Sequence, residues 1–285
     1  MSLVTIQNHR GGLHMILITG ASGQLGHAIV ERLADAGHPV IAGTRRPVAG
    51  SAQRHIDFDE PVSLDFTGFA TVVMVSAGYA EDDVVIARHE NVVAAAERDG
   101  VQHLIYTSVA TDGNHLSFAL AHRWTERRIQ GSTLRWTILR NGLYAELFGS
   151  LLARSEGVIT APFGFGAVAV VTRADLAEAA ANVASEPDRH INRVYDLVGA
   201  RAITADQIAK VAGLVYQPAS LGSHRAALNV SGLLPFQPAM LLSIYSSVAH
   251  GILSRTTTDL GDLLGRSPSD PELTVIRRME QPATV

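Results

Sequence analysis

Cysteine is absent from this chain of 285 residues, which excludes a disulfide framework and thiol nucleophiles. Lysine is nearly absent. Lys210 stands alone, and arginine supplies the rest of the positive charge. The formal net charge is −4, with no basic stripe, which argues against nucleic acid as an electrostatically held partner. Long apolar runs are missing as well. The nearest, AMLLSIYSSVAHGIL, is broken by serines and a histidine and is too short to span a bilayer, so it reads as a buried or pocket-lining helix. Residues 1–14, MSLVTIQNHRGGLH, lack the apolar core and small-residue cleavage site of a signal peptide. They read as an N-terminal extension, frayed or lying before the true start. The expectation is a cytoplasmic protein with no membrane partner.

Several chemistries are missing too. Lys210 has no preceding glycine loop, so there is no P-loop. No serine sits in GxSxG. No HExxH occurs and the twelve histidines are scattered, so no metal site is expected.

What is present is the material of a globular fold, 47% hydrophobic and 18% charged. The sharpest signal is MILITGASGQLG at residues 15–26. Met15 to Thr19 read as a buried parallel strand. From Gln24 to Ala36 the spacing of Leu25, Ile29 and Leu33 predicts a helix, stopped by Gly37 and Pro39. Between them a turn with Gly20, Gly23 and Gly26 leaves the helix N-terminus bare. Unpaired N–H groups and a partial positive charge make that end suited to a pyrophosphate. The spacing is GxxGxxG rather than GxGxxG, and a plain tight turn is the competing reading.

The rhythm continues in the same manner. Strands are expected at 15–19, 40–44, 53–57, 71–76, 103–107 and 135–139. Helices are expected at 24–36, 81–99 and 117–130, with a helical turn near 60–66. Such alternation predicts an α/β fold, a Rossmann-like doubly wound parallel sheet with a small C-terminal substrate-binding region. Residues 15–150 form the expected dinucleotide-binding domain. Residues 151–285 are mainly substrate-binding, with 170–200 returning to the sheet. ITAPFGFGAV reads as a glycine-rich loop or hairpin, Thr172 and Asp175 as the capped start of a helix, and VYDLVG as a strand. ITADQIAKVAG reads as a short helix. Residues 214–285 are too thin for an independent core and are expected to fold over the crevice.

The second strand ends in IAGTRRP, where a ribose-reading acid belongs. Thr44, Arg45 and Arg46 stand there instead. A guanidinium pairs with a 2′-phosphate and stacks on adenine, which favours NADP(H) over NAD. Two solvated surface arginines are the alternative. Asp57 and Phe58 end the next strand and either flank the adenine or serve only the turn.

These segments together resemble the NmrA-like group of atypical short-chain dehydrogenases, especially its NAD(P)H:quinone oxidoreductases and triphenylmethane reductases. The resemblance is carried by ITGASGQLGHAIVERL, IAGTRRP, HENVVAAAERDGVQHLIYTS, AHRWTERRI, WTILRNGLYAELF and VTRADLAEAAA, with a weaker echo in GILSRTTTDLGDLLGR. It implies that Gly20, Ala21, Ser22, Gly23, Gln24 and Leu25 hold the pyrophosphate and that Arg45 meets the adenosine phosphate. It implies that Val75, Ser76 and Ala77 run beneath the adenosine ribose, and that Tyr106, Thr107 and Ser108 lie near the nicotinamide ribose. Asn141, Gly142, Leu143, Tyr144 and Glu146 would border the nicotinamide and the substrate, with Arg173 bracing the wall. Where the group often carries a lysine after the second glycine of GFGAV, this chain has Ala167.

The tyrosine–lysine pair of typical short-chain dehydrogenases cannot be assembled. Asp206 stands four residues before Lys210. Four residues after Tyr79, Tyr106 and Tyr144 stand Asp83, Ala110 and Phe148. Hydride transfer to a quinone or a conjugated dye tolerates that loss, since proximity and exclusion of water suffice. His122, Tyr144 and Tyr106 are the candidate donors or orienting groups. The expected partner is an aromatic or quinone-like small molecule, and a homodimer is the assembly considered. A redox-sensing regulator that binds NADP without turnover, and a specialised biosynthetic reductase or isomerase, are the alternatives.

Overall fold

The computed structural model describes residues 15–77, 80–228 and 232–281. The expected extension, residues 1–14, and Tyr79 lie outside them. The first half alternates strand and helix: β1 (Ile16–Ile18), α1 (Gln24–Asp35), β2 (Val40–Thr44), β3 (Gln53–His55), β4 (Thr71–Met74), α2 (Asp82–Arg98), β5 (His103–Val109), α3 (Ala119–Gln130) and β6 (Arg135–Asn141). There follow α4 (Ala145–Ser150), β7 (Ala153–Ser155), β8 (Val158–Ala161), β9 (Ala167–Val168), α5 (Arg173–Ser185) and β10 (Arg193–Leu197). The chain ends through β11 (Ile203–Thr204), α6 (Ala205–Val211), β12 (Val215–Pro218), α7 (Leu221–Leu228), α8 (Gln237–Ala249), α9 (Asp259–Leu264) and α10 (Glu272–Glu280).

Seven strands make one sheet in the order β10-β6-β5-β4-β1-β2-β3, and every pairing in it is parallel. Ile16 sits between Val40 of β2 and Thr71 of β4. The strands on either side of it therefore run outward in opposite sequence directions. That reversal opens a crevice beyond the carboxyl ends of β1 and β4, where open α/β sheets bind ligands. The doubly wound α/β expectation holds. The central strands β1 and β4 are buried throughout, as both faces of a parallel sheet are covered, and they end where the polar crevice begins.

Two apolar layers flank this sheet. On one side α1 packs against α5, with Ile29, Leu33, Leu176 and Val183 sharing a cluster with Ile18 and Val73. On the other, Val92, Ala96 and Ile129 meet Leu17, Met74 and Leu104. A third cluster lies outside the sheet, around Phe148, Ile159, Phe163, Ile208, Tyr245, Val248 and Val275.

The second half differs from expectation in two respects. Of the two readings of ITAPFGFGAV the glycine-rich loop holds and the hairpin does not: β8 pairs with β7 and β12, whereas β9 pairs with β11. Gly166 explains the separation. A Cβ there would overlap the Val248 carbonyl oxygen at the end of α8, so the loop is pressed onto a helix rather than folded on itself. Residues 214–285 are also not a uniform cover. Leu260 and Leu264 of α9 pack beneath the sheet with α5 and β10, while α10 lies on α4. Among the described residues no helix is long and apolar enough to cross a membrane.

Candidate active site

The crevice widens into a cavity of about 990 Å³ that runs from β2 past β4 and β5 to α4, α8 and α10. At its centre stands the glycine turn. Gly20 has φ +61, a conformation that favours glycine, and its carbonyl accepts the Gly23 N–H at 2.9 Å. A Cβ on Gly26 would overlap that same carbonyl, so α1 can seat on the turn only as glycine. Gly23 caps α1 without a side-chain hydrogen bond, and the first turn holds no acid. With the Gly23 N–H held by the turn, the amides of Ser22, Gln24 and Leu25 are left for the cavity that these residues line. This cradle fits a pyrophosphate.

At one end of the cavity Arg45, Asp57 and Phe58 lie on the wall. Arg45 is exposed; Arg46 is not among the lining residues. Asp57 serves the turn as well, since its Oδ1 accepts the Asp59 N–H at 3.0 Å. Two lining residues escaped the sequence reading. Arg88 on α2 grips Asp59 with two hydrogen bonds of 2.7 Å, and that grip holds the Asp59 carboxyl below its usual range. The signal was weak: Arg88 merely precedes His89, which takes the inward face of α2.

Residues 20–187 match the model of a family described as NAD(P)H-binding. The chain belongs to that family. Quinone oxidoreductase 2 of Escherichia coli is 34% identical over 88% of this chain and 94% of its own length. The structure of triphenylmethane reductase from Citrobacter sp. in complex with NADP(H) superposes with a TM-score of 0.81 at 30% identity, covering 93% of this chain and 99% of that one. An E. coli NADPH-dependent quinone oxidoreductase in complex with NADPH gives 0.82 at 31% identity, covering 92% and 99%. The NmrA-like resemblance read from the motifs is borne out, and the protein is an oxidoreductase whose cofactor is NAD(P)H.

In this NAD(P)H-binding protein Val75, Ser76 and Ala77 follow β4, and Thr107 and Ser108 lie near the carboxyl end of β5, all on the cavity wall. Ser108 donates its hydroxyl to Glu126 Oε1 at 2.5 Å. Glu126 is buried between Arg123 and Arg140, at 2.6 Å from each. The Ser108 hydrogen is thus committed to Glu126, and its oxygen lies 3.4 Å from Arg123 Nη1, which donates to it. Asn141, Gly142, Leu143, Tyr144 and Glu146 line the next stretch, opposite Arg173. Glu146 accepts the Arg173 main-chain N–H at 3.1 Å, and the Arg173 guanidinium lies 5.3 Å from the centre of the Tyr144 ring. Arg173 thereby ties α5 to α4 across the wall.

Two expectations need correcting. Ala21 is buried away from the cavity; its N–H is bonded to the Gly43 carbonyl at 3.0 Å. It anchors the turn to β2 instead of touching a ligand with its side chain. Tyr106 is fully buried and off the wall. Its hydroxyl lies 2.8 Å from His122 Nδ1, so it can meet a substrate only through that ring. Burial also raises its pKa, which makes it a poor acid.

His122 does line the cavity. Desolvation, with Arg123 beside it, pushes its pKa down to about 4, so the ring is neutral at pH 7. Beyond it the far end is apolar, with Leu116, Phe118, Leu147, Met240 and Leu253. Arg278 and Gln281 from the C-terminal segment add polar groups. Met240 and Leu253 belong to AMLLSIYSSVAHGIL, expected as a buried or pocket-lining helix; the others were not legible beforehand, because they converge from the segment before α3, from α4 and from the C-terminal α10. Helix α10 comes this close because Gly149 has no side chain: a Cβ would sit 2.5 Å from the Val275 oxygen.

Proposed function

We propose that this protein is an NADPH-dependent reductase that passes hydride directly to a quinone-like or other conjugated small molecule, without a tyrosine–lysine relay. The observation that carries the reading is the position of the only lysine. Lys210 is on α6, outside the cavity wall, paired with Asp206 at 2.6 Å. A simple ketone needs a positioned acid for its developing alkoxide, whereas a quinol anion is delocalised and far less basic. The likeness to a quinone oxidoreductase and a triphenylmethane reductase supports the same class of acceptor.

NADPH, when bound, supplies the hydride and both electrons. The bare amides of Ser22, Gln24 and Leu25 take its pyrophosphate, over the side-chain-free Gly23, and Arg45 takes the 2′-phosphate. Asp57 and Phe58 border the adenine, and Val75 to Ala77 support the adenosine ribose. Thr107, Ser108 and Asn141 hold the nicotinamide half. Leu143, Leu147, Phe118 and Met240 form the water-excluding slot for a flat acceptor, beside Tyr144 and His122. NADPH consumption against a panel of quinones and conjugated dyes, with cofactor binding measured in parallel, tests this. Turnover with several of them is expected. Tight binding with no turnover would overturn the reading and leave a sensor of NADP(H).

A further inference from the structure

The wall behind the substrate end holds a buried chain of hydrogen bonds that leads to one unpaired donor. The Ala77 N–H can only donate, and it meets His89 Nε2 at 3.3 Å. Ser76 Oγ lies 3.3 Å from the same nitrogen. His89 Nε2 is therefore an acceptor, and its hydrogen sits on Nδ1, facing Thr125 Oγ1 at 2.8 Å. Thr125 sends its own hydrogen to the Ala121 carbonyl at 2.8 Å. Neither His89 nor Thr125 has a hydrogen left for the neighbouring Tyr106, whose hydroxyl also lies beside Ser76 and Thr125; of the acceptors around it, the His122 imidazole nitrogen is the strongest base.

Tyr106 is thus the donor in its bond to His122 Nδ1. A phenol is a stronger acid than a neutral imidazole N–H, and an imidazole nitrogen is a stronger base than a phenol oxygen. With Nδ1 accepting, the hydrogen of neutral His122 resides on Nε2. That atom has no protein partner among the described residues, and its ring is on the cavity wall. The ring cannot turn freely. It is packed by Tyr106, Phe118 and His89 at centroid distances of 6.1, 6.2 and 6.5 Å.

We propose that His122 acts as a neutral hydrogen-bond donor, through Nε2–H, to the acceptor oxygen on which charge develops, and that Tyr106 is the positioning residue that fixes this tautomer. This rests on the reductase reading above. The acceptor takes up one hydride, with two electrons, and its oxygen becomes anionic; the proton that completes the product comes from solvent. His122 keeps its own proton. Giving it up would leave an imidazolate or, by relay through Nδ1, a buried tyrosinate, and burial disfavours both. The role is stabilisation of an oxyanion by a preorganised donor, not general acid catalysis.

The charged and titratable groups around His122 agree with a ring that stays neutral. Tyr106 on β5 and His89 on α2 are themselves neutral by burial. Arg123 opposes a positive charge, and Glu126 favours one but is spent on Arg123, Arg140 and Ser108.

The test is 15N NMR of the histidine-labelled full chain, with the His122 signals assigned by their loss in His122→Gln. The expected result at pH 7 is a pyridine-type Nδ1 and a protonated Nε2, unchanged down to about pH 5. Protonation of Nδ1, or an imidazolium at pH 7, would overturn the proposal. This readout needs no substrate, so it stands or falls apart from the reductase reading. In turnover, His122→Ala should lower kcat with the best quinone by roughly 10–100-fold, with little change in NADPH affinity. Tyr106→Phe should lower it by less, about 3–10-fold, and mix the two His122 tautomers in the NMR spectrum. An unchanged tautomer in Tyr106→Phe would remove the positioning role. A kcat that falls with a pKa near 6.5 as pH rises would make His122 an acid and contradict the donor role.

Discussion

The two ends of the cavity are made of different material. At the cofactor end the wall is main chain and small side chains at the carboxyl ends of β1, β4 and β5, fixed by the parallel sheet. At the far end it is large apolar side chains from the segment before α3, from α4, and from α8 and the turn after it, closed by α10. Under the proposed function the first kind of wall holds a constant feature, the phosphates and ribose of a dinucleotide. The second kind reads shape and hydrophobicity, and it changes with any substitution on four separated segments. A binding function is rigidly specified by the first, and substrate choice is left to the second.

Substitutions at glycine separate the two ends most strongly. Gly23→Val should reduce NADPH affinity by more than about 100-fold while the circular dichroism spectrum stays native, because its Cβ meets only the Gly20 oxygen, at 3.3 Å. Gly26→Ala, three residues on, should instead destabilise the fold, since its Cβ has no room. Equal melting temperatures for Gly26→Ala and the parent would break the account of the turn.

Arg45→Ala should weaken NADPH binding by about 1.5–3 kcal/mol, the range for a hydrogen bond to a charged group, and leave NADH nearly unchanged. Calorimetric titration of both cofactors decides it. Equal affinity of the parent for the two would remove the phosphate-reading role from Arg45.

At the other end, Gly149→Ala would press a methyl group on the Val275 carbonyl and on Arg278, 3.1 Å from its Cβ. Displacement of α10 should raise the acceptor KM several-fold, at a cost of about 1–3 kcal/mol in stability, and leave NADPH affinity within about twofold of the parent. A matching loss of NADPH affinity would show that the ends are not independent.

The smallest effect is expected at Tyr144. Tyr144→Phe keeps the ring beneath Arg173 and removes only a hydroxyl, so it should cost less than the roughly 100-fold lower bound for loss of a general acid. A larger loss in kcat would mean that this phenol, not solvent, protonates the product.

These contrasts also explain what was legible in the sequence. The strands and helices of residues 15–141 follow from local periodicity and glycine spacing, so their bounds shift by only a few residues in the structure. The cofactor wall came with them, because a parallel sheet delivers the residue after each strand to the same edge. Tyr106 was misjudged for a related reason. It stands in the β5 segment, but alternation turns its side chain into the layer packed against α2 and α3. Arg88 and Arg278 were not legible at all, since each lies on a helix whose angle to the sheet is set by tertiary contacts, whereas Met240 lies in the stretch expected as a buried or pocket-lining helix. The departure of β8 from β9 was hidden in the same way: it depends on Gly166 meeting α8, a contact between residues far apart in the chain.

The central claim is hydride transfer to an acceptor that needs no strong acid. It is tested most directly by comparing kcat/KM for NADPH oxidation with an electron-poor quinone and with an unactivated ketone on the same preparation, with NADPH affinity measured alongside. The account predicts ready turnover of the quinone and a ketone rate lower by at least about 100-fold, the least that a missing general acid should cost. Comparable rates with both would contradict it, as would tight NADPH binding with no turnover of either.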